Sequence, residues 1–173
     1  IYSYILWMTF PLLISKGASE EVSTIGRGAV VMTLIIVVTL LSGGFVAGLK
    51  AGHAFNTFPL MAGQIIPSGY WAIEPWWKNL FDSIPAVQFN HRYLGIFTYL
   101  AVCIFVLSGW RDVILKKHRV VLALLLLTVT VQGLLGVSTL ILHVPVVLAA
   151  AHQGVGLLLL TFALYLIYIT RRK

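Results

Sequence analysis

Four apolar runs, each about twenty residues long, constrain this chain more than any other feature. They are Ala29–Leu49, Val87–Trp110, Val120–Leu142 and Ala149–Ile169. A helix needs about 20 mainly apolar residues to cross the hydrocarbon core of a bilayer. Within that core its backbone polar groups must be satisfied inside the segment. The runs therefore predict an all-α fold, an integral membrane four-helix bundle. Hydrophobic residues make up 60% of the chain and charged residues 10%, which is far from a soluble domain. A net charge of +7 would suggest nucleic acid if the basic residues clustered on a soluble face. They fall instead between the apolar runs, so the expected partner is a lipid membrane and not nucleic acid.

The rest of the chain divides around those runs. Residues 1–15 are apolar but short and carry Pro11, and read as the tail of a preceding span or an interfacial helix. Residues 16–28 form a polar connection holding Glu20, Glu21 and Arg27. Residues 29–173 form the four-span bundle, with a long loop at 50–86. The first residue is Ile1, not Met, and no charged start with a cleavage site follows, so the chain reads as part of a longer protein.

Basic residues orient the bundle. Lys16, Arg27, Arg111, Lys116, Lys117, Arg119, Arg171, Arg172 and Lys173 fall at one end, and only Lys50, Lys78 and Arg92 at the other. The richer end is expected in the cytoplasm or matrix, and the long loop outside.

Two spans open on a histidine. His91 lies in QFNHR (Gln88–Arg92) and His152 in AAAHQG (Ala149–Gly154), each about one turn inside the outer end of its run. An ionisable group inside a bilayer costs several kcal/mol unless it is satisfied, and marks a candidate functional site. A lone membrane histidine is often a structural donor; two at matching depth suggest one shared metal or metallocofactor. Zinc would want two further ligands, and His53, His143, Glu74 and Asp82 on the same side keep it open. A haem iron needs only two axial ligands, which explains a pair better than a quartet. The single cysteine, Cys103, lies in an apolar run and makes no Cys-x-x-Cys-His site, so such a haem is held without a covalent link. Arg92 is expected either to pair with the haem carboxylates or to anchor in the headgroups.

The 37-residue loop at 50–86 is long for a connection between packed helices. Its Phe55, Phe58, Trp71, Trp76 and Trp77 read either as an interfacial belt or as a lid over the histidines. Small residues predict close helix approach at Gly43, Gly44 and Gly48, at Gly133 and Gly136, and at Gly154 and Gly156. Gln132, alone and polar in the third span, predicts an interhelical hydrogen bond.

Three stretches together resemble the haem A synthase family: GGFVAGLKAGHAFNTFPLMAGQIIP (Gly43–Pro67), VQFNHRYLGI (Val87–Ile96) and VQGLLGVSTLILHVPVVLAAAHQ (Val131–Gln153). Their order is similar to that family's carboxy-terminal half. The resemblance implies one half of an eight-span pseudo-repeat protein that oxidises a methyl group of haem O to the formyl group of haem A. It implies that His91 and His152 are the axial iron ligands of a haem B, with Arg92 beside it. It also implies an amino-terminal half, or a second copy, that holds the substrate haem O. A haem O synthase is a further implied partner, for cytochrome oxidase assembly. The implied location is a bacterial or archaeal plasma membrane, or the mitochondrial inner membrane, with the histidine pair toward the periplasmic or intermembrane side. This chain departs from the family's amino-terminal half in having no carboxylate in AGHAFNTFP (Ala51–Pro59), so it resembles the cofactor half, and its catalytic residues are unassigned. Two other classes remain open: a bis-histidine cytochrome b subunit that only transfers electrons, and a haem-free transporter or assembly factor whose histidines line a proton path.

Overall fold

A computed structural model of the protein describes residues 1–13, 23–112 and 116–170. Lys16, Glu20, Glu21 and residues 171–173, on which part of the charge reading rests, lie outside the described residues. Among the described residues the α-helices are α1 (Tyr2–Leu13), α2 (Ser23–Gly48), α3 (Asn79–Asp82), α4 (Ile84–Asp112), α5 (Lys116–Ile141) and α6 (Val146–Thr170). Two short 3-10 turns, Ala51–His53 and Trp76–Lys78, lie in the long loop. Four helices are long and apolar enough to cross a membrane, over Ile25–Gly48, Ile84–Arg111, His118–Ile141 and Val146–Thr170.

The helices outrun the apolar runs that predict them. Residues 23–28, expected as a connection, open α2, because Gly28 serves the helix: a Cβ there would stand 2.7 Å from the Phe105 ring of α4. The basic connection expected at 111–119 narrows likewise, since α4 continues to Asp112 and α5 starts at Lys116. At the other end, α4 starts three residues before its apolar run. Pro85 suits a first turn that has no use for its missing N–H, and the Ser83 carbonyl accepts from Val87 N at 2.8 Å. Pro145 plays a similar part for α6, its carbonyl accepting from Ala149 N at 2.9 Å.

The four long helices run alternately up and down. Each packs on two neighbours, in the ring α2–α4–α5–α6. The helices α4 and α6 therefore stand diagonally opposed, as do α2 and α5. Outward faces carry residues such as Val31, Leu34 and Leu41 on α2 and Leu100, Ile104 and Leu107 on α4, which suits contact with lipid. The short helix α1 packs on α6, with buried Phe10 against Tyr165 and Tyr168 and the Tyr2 hydroxyl bonded to Thr161.

Packing is uneven along the bundle. One end holds a close core, with Ala29 and Ile36 of α2, Val102 of α4, Leu122 of α5 and Leu166 of α6 almost wholly buried. The other end is looser. No residue is fully buried beyond Ile36 on α2, beyond Val129 on α5, or before Gly156 on α6. Both histidines lie at that open end.

Candidate functional site

His91 is seven residues into α4 and His152 six into α6, about 10 and 9 Å from their helix starts. They are two turns deep, one more than expected, because both helices begin earlier than their apolar runs. Their depths still match. The rings meet across the bundle axis, with centroids 6.5 Å apart and planes at 80°. Two imidazoles bound on opposite sides of one metal, at about 2 Å each, place their centroids about 6 Å apart. The separation fits a shared metal centre.

The other diagonal pair supplies the floor for each ring. A Cβ at Gly43 of α2 would stand 3.0 Å from His91 Cε1, and one at Gly136 of α5 would stand 2.9 Å from His152 Cε1. Both glycines lie five residues before the last residue of their helices. The two helix pairs thus repeat one unit, a glycine near the end of one helix and a histidine near the start of the next. Gly44, Gly48, Gly133 and Gly154 face open space, so the close helix approach expected of them is not made. All four are exposed on the outside of the bundle. Gly156 is a contact, its missing Cβ lying against Leu40 and Gln132. Gln132 does not make the expected interhelical bond through Oε1, which is buried without a partner.

The environments of the two imidazoles differ. Ser42 Oγ lies 2.8 Å from His91 Nδ1 and donates to the Thr39 carbonyl at 2.7 Å. His152 Nδ1 is buried with no hydrogen-bond partner. Ser42 is a site residue that spacing alone does not single out, while Gly43 and Gly136, expected at close helix contacts, lie against the histidine rings. The matching distance of the glycines from their helix ends was the available signal.

Arg92 is buried and turned into the loop. Its Nη1 donates to the carbonyls of Thr57, Pro59 and Leu60 at 2.8, 3.2 and 3.2 Å, and Nη2 donates to Phe55 at 3.2 Å. Its Nε is buried without a partner, and the guanidinium lies 5.9 Å from the Phe58 ring centroid. One turn away, Gln88 Nε2 donates to the same Phe55 carbonyl at 3.0 Å. Asn56 donates to the Gly52 and Leu140 carbonyls at 3.0 and 2.8 Å, tying the loop to the last turn of α5. The 55–60 stretch of the loop is therefore held to α4 and α5 by polar side chains. Trp71, Trp76 and Trp77 are 61, 62 and 49% exposed and point away from the core, as an interfacial belt would. Among the described residues, no three His, Cys, Asp or Glu side chains gather as a metal cluster, and His53 and His143 join no such group. This leaves no basis for the four-ligand zinc alternative there.

Residues 1–164 match the family of cytochrome oxidase assembly proteins. The chain belongs to this family. Curated relatives in it carry the name heme A synthase. That of Nitrosospira multiformis is 40% identical over 177 residues, covering 100% of this chain and 49% of the relative. That of Nitrosomonas eutropha is 38% identical over 169 residues, covering 95% and 48%. One from Rhodopseudomonas palustris strain BisB5 is 36% identical over 170 residues, covering 94% and 45%. The chain spans about half the length of the curated relatives it matches. No solved structure matches it. Four apolar helices in a member of this family make an integral membrane protein.

Proposed function

We propose that this chain is the haem B-binding half of a haem A synthase, matching the family's carboxy-terminal half. In this reading His91 and His152 would hold the haem iron. The observation that carries it is the 6.5 Å separation of two half-buried imidazoles on diagonally opposed helices, at the end where the bundle is loosely filled. The name of the relatives supplies the product, haem A; the substrate, haem O, is what the family resemblance implies. A haem held by His91 and His152 would supply one-electron transfer.

The chain's own residues bind, orient and enclose. Gly43 and Gly136 let the rings come close to the neighbouring helices and set their planes. Arg92 and Gln88 hold the 55–61 stretch beside the pair, which limits water at the site. Arg92 Nε is the donor left for a haem carboxylate. The loop end faces the periplasm or intermembrane space, by the charge bias. Methyl oxidation itself belongs to a substrate site in an amino-terminal half or a second copy, to which this half passes electrons; a haem O synthase would supply the substrate.

Pigment analysis tests the reading. Cells that make haem O but not haem A are given the full-length protein, parental or with His91→Ala. The parent should yield haem A and the variant little or none. Haem bound in the parent without haem A formation favours a cytochrome b subunit that only transfers electrons.

A further inference from the structure

One hydroxyl distinguishes the two histidines. Building on the haem reading above, we infer that Ser42 is a positioning residue. It holds His91 in the tautomer protonated on Nδ1, so that Nε2 is left free to bind the metal, while His152 has no hydroxyl partner of this kind.

The argument is a count of hydrogens. Ser42 Oγ makes two polar contacts, 2.8 Å to His91 Nδ1 and 2.7 Å to the Thr39 carbonyl. A hydroxyl has one hydrogen, and a carbonyl only accepts. Both contacts are hydrogen bonds only if Ser42 donates to Thr39 and accepts from His91 Nδ1–H. A neutral imidazole protonated on Nδ1 carries its lone pair on Nε2. Gly43, the next residue, makes the contact possible, because a Cβ there would meet His91 Cε1 at 3.0 Å.

The second unit repeats the glycine and omits the hydroxyl. Gly136 receives His152 as Gly43 receives His91. The residue before it is Leu135, where α2 has Ser42. His152 Nδ1 is left buried without a bond. A hydrogen bond from the outer nitrogen of a ligating histidine fixes its orientation and raises its basicity. Only His91 has that support from a side-chain hydroxyl. A more basic ligand favours the oxidised iron, so losing the bond should move the midpoint potential in the positive direction.

The test is a redox titration with electron paramagnetic resonance of the oxidised protein, on the purified full chain as parent, Ser42→Ala and Ser42→Thr. The Ser42→Ala protein should titrate at a more positive potential with an altered low-spin signal, and Ser42→Thr should return both toward the parent. Loss of haem in Ser42→Ala that Ser42→Thr restores supports the inference equally. Parental potential and signal in Ser42→Ala overturn it and leave the haem reading standing, as does a Ser42→Thr protein that behaves like Ser42→Ala. A parent with no low-spin haem overturns the haem reading itself, and this inference with it.

Discussion

His91 and His152 face each other with ring centroids 6.5 Å apart, although they stand on helices that do not pack directly on one another. The contact is made across the bundle axis, over the glycines of the two intervening helices. Two titratable groups inside a membrane bundle are costly to keep without a partner. Their convergence on one point, at matching depth, is the arrangement a shared metal requires and helix packing does not.

The glycines under the rings should tolerate no side chain. In Gly43→Ala or Gly136→Ala a methyl would stand 3.0 or 2.9 Å from an imidazole carbon, and the ring must shift. Overpacking of this kind costs about 1–3 kcal/mol. Each variant should insert in the membrane yet hold less haem per chain. Gly109→Ala is the control, because its methyl would meet Leu122 at an ordinary 3.9 Å. The haem-to-protein ratio of the three purified variants measures this, and equal ratios would count against the cradle.

Arg92 should govern the order of the loop apart from any role toward haem. Its four contacts to the carbonyls of Phe55, Thr57, Pro59 and Leu60 exceed what a lysine ammonium can make. Bonds from a charged donor contribute about 1.5–3 kcal/mol each. Arg92→Lys should expose residues 55–61 to hydrogen exchange and leave α5 and α6 protected. Unchanged exchange in that stretch would remove Arg92 as its clamp.

Asn79 holds the other half of the loop. Wholly buried, it accepts from Ile73 N at 3.0 Å and donates to the carbonyls of Ile73 and Trp76 at 2.7 and 2.8 Å. An aspartate keeps the acceptor and loses both donors. Asn79→Asp should therefore loosen residues 73–78 about as much as Asn79→Ala, with a cost near 3 kcal/mol. Local exchange rates check it, and a mild Asn79→Asp beside a severe Asn79→Ala would contradict the bonding described.

Much of this architecture is legible in the residues themselves. Runs such as Val120–Leu142 announce a span through length alone, and His91 and His152 stand out because a bilayer makes ionisable groups conspicuous. What the sequence hides is rotational phase. Gly43 and Gly44 are adjacent, yet only Gly43 faces a histidine, and which one does depends on how α2 turns against α4. The helix starts were misplaced for a related reason. Residues such as Arg27 and Gly28 look like a connection by polarity, while the contact that makes them helical, Gly28 against Phe105, joins residues far apart in the chain. The loop tryptophans admit two readings from sequence, and their outward exposure fits the interfacial belt.

The shared-haem claim is tested most directly by the reduced-minus-oxidised absorption spectrum of the purified protein beside His91→Ala and His152→Ala. The account predicts a six-coordinate low-spin haem in the parent and its loss or conversion in each single variant. A parental low-spin spectrum in both variants, or no haem absorbance in the parent, would contradict it.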